Sequence, residues 1–194
     1  MSTLPVLLSP SPVTSRRTLR RAWIPVLCAV LFVAFTSTTL MSGFHTQKIV
    51  DFAWDNVLGK WHRNDAGFVN LAGRKVGHFF GYGTIGLMFR RAWYHSLRTY
   101  LLALRGTAIL AASVLGIAST FALASLDEWH QMFLPQRHGS LYDAALDTAG
   151  ALFLTVAIAA IRALQRRRNE NAARIIRAYS VTPRSHQGLV AGML

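Results

Sequence analysis

Long apolar stretches alternate with charged connectors along this chain. Predominantly apolar stretches cover residues 22–44, 76–89, 107–126 and about 141–161, and only the last contains acidic residues, Asp143 and Asp147. A helix needs about 20 predominantly apolar residues to cross a bilayer, and flanking residues can extend the shorter second stretch. The pattern therefore predicts an all-α membrane protein with four transmembrane helices.

Apolar side chains recur at helical spacing between the first two stretches, with charged residues on the other side. They are Val50, Trp54, Val57, Leu58 and Trp61. This pattern predicts an amphipathic helix that lies in the membrane interface, with its tryptophans at headgroup depth. The alternative is a helix packed as a cover over the bundle, and in either position it could roof a site on that side.

Both ends of the chain are polar and basic. Residues 1–21 contain many Ser, Thr and Pro and are predicted to form a disordered basic tail. Residues 22–164 then form the four-helix membrane domain, and residues 165–194 form a second basic tail. The arginines after the last apolar stretch are expected to prolong its helix before that tail begins.

The distribution of Lys and Arg predicts the orientation in the membrane. Twelve of them flank the N-terminal end, the second-to-third connector and the C-terminal end, against six in the other two loops. Cytoplasmic loops carry the excess of cations, so both termini are predicted to be cytoplasmic. The amphipathic helix then lies in the first external loop, and His78, Glu128 and Asp143 all lie at the outer ends of their helices.

Composition excludes several classes of protein. With 52% hydrophobic and 15% charged residues, the chain is too apolar for an ordinary soluble domain. The net charge of +13 follows from the cations that flank the apolar stretches, so we expect no nucleic-acid partner. Cys28 is the single cysteine, which excludes a disulfide framework or a cysteine-based metal site within one chain.

The candidate chemistry lies in residues 125–150, which hold four of the eight acidic residues, Asp127, Glu128, Asp143 and Asp147. Glu128 and Gln131 are three residues apart, and Asp143, Asp147 and Gly150 follow at steps of four and three, so each set shares one helix face. A turn that contains Arg137 separates the two sets. The sequence predicts a helix end, a turn and a helix start that bring carboxylates, a carboxamide and a guanidinium to one membrane surface.

These residues resemble the signature of VanZ-like membrane proteins, a family named for an accessory protein of glycopeptide resistance. The resemblance covers about residues 26–161 and rests on Glu128, Gln131, Pro135, Arg137, Ser140, Asp143, Asp147 and Gly150, with Lys75, His78, Phe79 and Tyr82 upstream. Three positions depart from the family pattern. Arg74 replaces an acidic residue, Asp147 replaces a common Asn and Leu154 replaces a glycine.

The polar residues at the external ends of the helices predict a site for a membrane lipid headgroup or a lipid-linked cell-envelope precursor, which agrees with what the resemblance implies for a protein of the bacterial inner membrane. Arg137 and Lys75 would bind phosphate, and the other polar groups would bind sugar or peptide. The candidate ligand-binding residues are Lys75, His78, Tyr82, Glu128, Gln131, Arg137, Ser140, Asp143 and Asp147. Relatives that lower sensitivity to teicoplanin suggest an effect on such antibiotics.

Other functions stay open at this point. A membrane hydrolase or transferase acting on a lipid phosphate would use Glu128 or Asp143 as base, His78 as acid and Arg137 as an electrostatic clamp. Glu128, Asp143 and Asp147 could hold a divalent metal, although we expect neither a metal nor another cofactor. A purely structural ion network of Arg137, Glu128 and Asp143 is the remaining alternative. Four spans without an internal repeat argue against a monomeric carrier, and the oligomeric state stays open.

The predicted helices also give two geometric expectations. The short connection between the third and fourth spans contains Pro135 and Gly139, so these spans should form an antiparallel hairpin. His78 should then lie near Glu128 or Asp143.

Overall fold

The computed structural model describes residues 16–38, 43–57, 65–98, 105–134 and 139–181. These ranges contain five helices and no strand: α1 (Arg16–Thr36), α2 (Gly43–Val57), α3 (Asp65–Leu97), α4 (Arg105–Gln131) and α5 (Leu141–Val181). The predicted all-α class is therefore confirmed. Within the described ranges, α1, α4 and α5 are the three helices long and apolar enough to span a membrane.

The first helix differs from its prediction at both ends. It begins at Arg16, so residues 16–21, which were assigned to the disordered tail, are helical. Arg and Leu are good helix formers and no breaker separates them from the apolar stretch. The helix ends at Thr36, whereas the apolar stretch continues to Phe44. At this end the Thr36 hydroxyl donates to the carbonyl oxygens of Phe32 and Val33 at 3.0 and 3.1 Å. Such local bonds compete with continuation of a helix.

A helix is present in the region where the amphipathic helix is predicted. Helix α2 starts at Gly43, and the predicted positions Leu58 and Trp61 lie outside the described residues. It packs on α3, where the Asn70 amide donates to Oε1 of Gln47 at 2.7 Å. Contact with α3 agrees with the expectation that this helix could cover part of a site.

Helix α3 is much longer than the predicted second span. It has 33 residues and includes Arg90, Arg91 and Trp93, which were assigned to a connector. At about 1.5 Å per residue this gives a length near 50 Å, enough to cross a bilayer. The helix packs against α1, α2 and α4. Its buried residues include Tyr82, Ile85, Phe89 and Ala92.

Contacts along α3 fix the directions of its neighbours. Trp23 near the start of α1 donates to Ser96 near the end of α3 at 3.1 Å, so these helices run antiparallel. Tyr82 bonds Asp127 of α4, whereas Arg90 further along α3 bonds Ser113 earlier in α4, which is also antiparallel. Lys75 and His78 contact Asp143 and Asp147 of α5 in the same order. Helix α5 is therefore parallel to α3, and α4 and α5 form the predicted antiparallel hairpin.

Glycines allow α3 and α5 to approach closely. A Cβ on Gly83 would lie 2.8 Å from Cδ1 of Leu154, and one on Gly86 would lie 3.2 Å from the Ala151 Cα. A Cβ on Gly77 or Gly81, which are four residues apart, would meet nothing within 4 Å. The tight contact therefore uses Gly83 and Gly86.

The chain divides into two compact units. Residues 1–155 form the first, whose buried core includes Val26, Tyr82, Ile85, Phe89 and Ala124. Its outer surface carries many exposed apolar side chains, such as Phe32 and Phe35 of α1, as expected for a surface in contact with lipid. The second unit begins at Val156, and its described part continues α5 with exposed side chains at residues 159–177. The predicted prolongation of the last helix is confirmed.

Candidate functional site

Polar side chains of three helices meet at one end of the first unit. The antiparallel arrangement brings the end of α4 next to the first half of α3, and the hairpin returns α5 to the same level. Among the buried polar residues are Asp127, Glu128, Gln131 and Asp147. Buried polar groups in proteins are usually hydrogen-bonded, so the partners of each residue show which helices it connects.

Asp127 is the centre of one buried hydrogen-bond group. The Tyr82 hydroxyl donates to its Oδ2 at 2.8 Å, and the Gln131 amide donates to the same oxygen at 3.0 Å. Tyr82 therefore joins α3 to α4, and Gln131 supports the carboxylate from one turn further along α4. The sequence analysis missed Asp127 as a site residue. Its spacing of four residues from Gln131 was the available signal, since such pairs share a helix face.

His78 and Asp147 form a second pair between α3 and α5. Nδ1 of His78 lies 3.3 Å from Oδ2 of Asp147, whose side chain is 1% exposed, whereas that of His78 is 37% exposed. Within the described part of the chain, Oδ1 of Asp147 is buried and has no hydrogen-bond partner. The predicted partners of His78 were Glu128 or Asp143. The observed partner, Asp147, is one helical turn further along α5 than Asp143. Helices α3 and α5 run parallel, and Asp143 lies opposite Lys75, one turn before His78.

Glu128 ties the end of α4 to the start of α5. Its Oε2 accepts a bond from the backbone N–H of Ser140 at 2.9 Å. Ser140 in turn caps α5, because its hydroxyl accepts from the Tyr142 N–H at 3.2 Å and its carbonyl oxygen accepts from the Ala144 N–H at 3.2 Å. A Cβ on Gly139 would collide with the Glu128 backbone. Glu128 therefore fixes the geometry of the hairpin.

Lys75 and Asp143 form an exposed ion pair. Nζ of Lys75 lies 3.1 Å from Oδ1 of Asp143, and the two side chains are 52% and 39% exposed. A pair this open to solvent contributes about 0 to 1 kcal/mol to stability. Asp143 also lies in the first turn of α5, where the helix dipole favours a negative charge.

A cavity of about 1020 Å³ lies between α1, α2, α3 and α4. This volume is near the upper end of the roughly 300 to 1,000 Å³ of common ligand pockets. Its wall on α1 and the later part of α3 is largely apolar, and its polar end is formed by α3 and α4. The lining residues are Pro25, Cys28, Ala29, Phe32, Val33, Thr36, Ser37, Thr46, Arg74, Gly77, His78, Gly81, Tyr82, Thr84, Ile85, Met88, Asp127 and Gln131.

The predicted site residues fall into two groups around His78. His78, Tyr82 and Gln131 line the cavity. Lys75, Glu128, Ser140, Asp143 and Asp147 make the contacts that join α5 to α3 and α4. The predicted site residue Arg137 lies outside the described residues. Arg74, which the sequence analysis noted only as a departure from a family pattern, lines the cavity.

The carboxylates do not gather as a metal site would require. Among the described residues, no three His, Cys, Asp or Glu side chains are placed to hold one metal ion. Glu128, Asp143 and Asp147 each make a separate contact, with Ser140, Lys75 and His78. The divalent-metal alternative therefore has no ligand set in the part of the chain that the structure describes.

Comparison with known proteins agrees with the resemblance in the signature residues. The family model VanZ/LLP1 matches residues 10–162. A search of curated proteins and a search of solved structures found no match to the chain. The family match covers most of the sequence, and the chain belongs to the VanZ/LLP1 family.

Proposed function

We propose that this member of the VanZ/LLP1 family is a four-span protein of the bacterial inner membrane that binds an anionic amphiphile at its external face. The ligand is a membrane lipid headgroup or a lipid-linked cell-envelope intermediate. The spans are α1, α3, α4 and α5, with both termini in the cytoplasm. The bias of Lys and Arg toward the three cytoplasmic segments supports this orientation.

The cavity is the observation that carries the proposal. Its apolar wall, with Phe32 and Val33 of α1 and Ile85 and Met88 of α3, suits an acyl or prenyl chain. Its other end is polar. A lipid has the same division, because its chain is apolar and its headgroup is polar. The chain would lie along the apolar wall and the headgroup at the polar end.

The polar end suits a phosphate group. Arg74 lies one helical turn before His78 on the same face of α3, and both line the cavity. A guanidinium matches phosphate oxygens with paired hydrogen bonds. Asp127 is already bonded by Tyr82 and Gln131, which reduces its repulsion of an anion. Arg74 thus takes the phosphate-binding role first assigned to Lys75, whose ammonium group is paired with Asp143.

An effect on sensitivity to teicoplanin-type antibiotics belongs to the same proposal. These antibiotics act on cell-wall precursors at the outer membrane surface, and the polar end of the cavity lies at the predicted external side. Binding of a lipid-linked precursor there would change how much of it the antibiotic can reach.

The test fills the cavity without disturbing the fold. A Cβ on Gly81 meets nothing within 4 Å, and Gly81 lines the cavity, so Gly81→Leu places a side chain into it. Gly73→Leu is the matched control, because Gly73 lies on the same helix in open space and away from the cavity lining. Both changes replace Gly in a helix interior, which favours the helix by about 0.8 to 1 kcal/mol.

Native mass spectrometry of protein purified in detergent measures the bound lipid. We expect an anionic lipid on the wild-type protein and on Gly73→Leu, and loss of it from Gly81→Leu although the two variants have similar melting temperatures. Equal occupancy in the two variants would place the lipid outside the cavity and contradict the proposal. Absence of a co-purifying lipid from the wild type, with none bound after addition of phosphatidylglycerol, would also contradict it.

A further inference from the structure

The pair of His78 and Asp147 is more than the proposed binding function requires. A phosphate ligand needs only a cation or hydrogen-bond donor from α3, yet His78 is backed by a carboxylate that is 1% exposed. Arg74 lies one turn earlier on α3, lines the cavity and can supply the cation for a phosphate. Binding of a phosphate therefore does not require a carboxylate behind His78. The carboxylate behind His78 therefore needs another explanation.

Burial of Oδ1 of Asp147 has a cost in the free energy of folding. Oδ2 contacts His78, but Oδ1 is buried and has no hydrogen-bond partner in the described part of the chain. A buried carboxylate that is not fully hydrogen-bonded is destabilising unless a proton or a positive charge compensates it. A neutral imidazole that carries its proton on Nδ1 donates a hydrogen bond to Oδ2 and offsets part of this cost. In that tautomer the contact fixes the orientation of the imidazole ring between α3 and α5.

The other nitrogen of His78 faces away from Asp147. Because Nδ1 and Nε2 lie on different sides of the imidazole ring, a ring that bonds Asp147 through Nδ1 directs Nε2 elsewhere. His78 lines the cavity and its side chain is 37% exposed. With the proton on Nδ1, Nε2 is the basic nitrogen and can accept a proton from a group in the cavity.

Neighbouring residues complete the arrangement. The Tyr82 ring stacks on the His78 ring at 5.9 Å, and its hydroxyl is held by Asp127, so the imidazole has a rigid support. Arg74 lies on the same face of α3 and lines the same cavity. A base, a carboxylate that orients it and a cation that can stabilise negative charge are thus collected at the polar end. These are the roles that hydrolysis at a phosphate requires.

We infer that His78 and Asp147 act as a base and its positioning carboxylate for hydrolysis of a phosphorus–oxygen bond in an amphiphile bound in the cavity. Water is the second reactant. Nε2 of His78 accepts a proton from water while the water oxygen bonds to phosphorus. The bond from phosphorus to the leaving oxygen breaks, and that oxygen takes the proton from His78. Arg74 binds the phosphate oxygens during the step. One water molecule is added across one bond, and no oxidant or metal is needed.

This inference rests on the proposed lipid-binding function, so binding and turnover are measured separately. The protein is reconstituted in nanodiscs that contain phosphatidylglycerol and cardiolipin, or mixed with farnesyl diphosphate, in heavy-oxygen water. Mass spectrometry of the products detects heavy oxygen on the phosphate. Native mass spectrometry of the same samples measures ligand occupancy.

Three variants separate chemistry from structure. His78→Gln removes the base and should lower the rate by roughly 10² to 10⁴-fold at unchanged occupancy. Asp147→Asn keeps a hydrogen-bonding oxygen but not the carboxylate, so it should lower the turnover rate and leave the apparent affinity unchanged. His130→Gln is the matched control, since His130 is exposed on α4 and is not among the residues that line the cavity, and it should react like the wild type.

Each outcome decides the question. Heavy oxygen in the wild-type product, with the expected order of the three variants, supports the inference. Bound lipid without heavy-oxygen incorporation from any of the three probes overturns hydrolysis and leaves the binding function standing. Failure of the wild type to bind any probe defeats both. If His78→Gln does not fold, an unchanged turnover rate in Asp147→Asn is sufficient to reject the role of the pair.

Discussion

The close contact between α3 and α5 predicts opposite effects for two glycine substitutions. In Gly150→Ala the added Cβ would lie 2.8 Å from the carbonyl carbon and 3.2 Å from the Cα of Phe79, so backbone must move. Overpacking of this kind costs typically about 1 to 3 kcal/mol. In Gly81→Ala the Cβ meets nothing within 4 Å, and better helix propensity stabilises by up to about 1 kcal/mol.

Separation of the helices also has a local consequence. Nδ1 of His78 and Oδ2 of Asp147 are already 3.3 Å apart, and residue 78 directly precedes Phe79. A shift of a few tenths of an ångström would therefore take the pair beyond hydrogen-bond distance. Gly150→Ala should weaken both the fold and this contact.

Thermal unfolding in detergent, followed by circular dichroism, measures the first effect. We expect a lower melting temperature for Gly150→Ala and an equal or higher one for Gly81→Ala. Nitrogen NMR of the labelled His78 ring measures the second effect through the signal of Nδ1. If Gly150→Ala is as stable as Gly81→Ala and leaves that signal unchanged, the described packing of α3 on α5 is wrong.

Three further predictions follow from the polar contacts and the charge pattern. Tyr82→Phe removes a donor to buried Asp127 and should reduce the free energy of unfolding by about 1 to 3 kcal/mol in denaturant titration, and no loss would contradict that bond. Glu128→Gln keeps an acceptor for the α5 cap and should stay within about 1 kcal/mol of the wild type, whereas Glu128→Ala should cost more; equal costs would exclude the capping role. Reporter fusions after Leu104 should read cytoplasmic and those after Gly139 external, and the reverse result would invert the orientation.

The sequence alone predicted the start of α5 better than the bounds of α3. Periodicity and apolar length correctly started α5 at Leu141, because that helix begins at a capped turn and continues into apolar residues. They failed for α3, because cations at both ends of its uncharged stretch, Lys75 and Arg90, suggested helix ends, whereas the helix runs from Asp65 to Leu97. The later part of α3 also contacts other helices, through Arg90 with Ser113 and Ser96 with Trp23, and that information lies in other segments of the chain.

The site was predicted in part for a similar reason. Spacing on one helix identified Glu128 with Gln131 and Asp143 with Asp147, since that relation is local. The register between helices is not local. Pairing of His78 with Asp147 instead of Asp143 depends on how far α3 slides along α5, which Gly83 and Gly150 determine through close backbone contact.

A structure of the wild-type protein in lipid nanodiscs, with a bound antibody fragment to aid particle alignment, tests the central claim most directly. The account predicts continuous density for an acyl or prenyl chain along Phe32 and Ile85, ending in a phosphate beside Arg74 and His78. A cavity filled only by water, or closed by contact between α1 and α3, would contradict it.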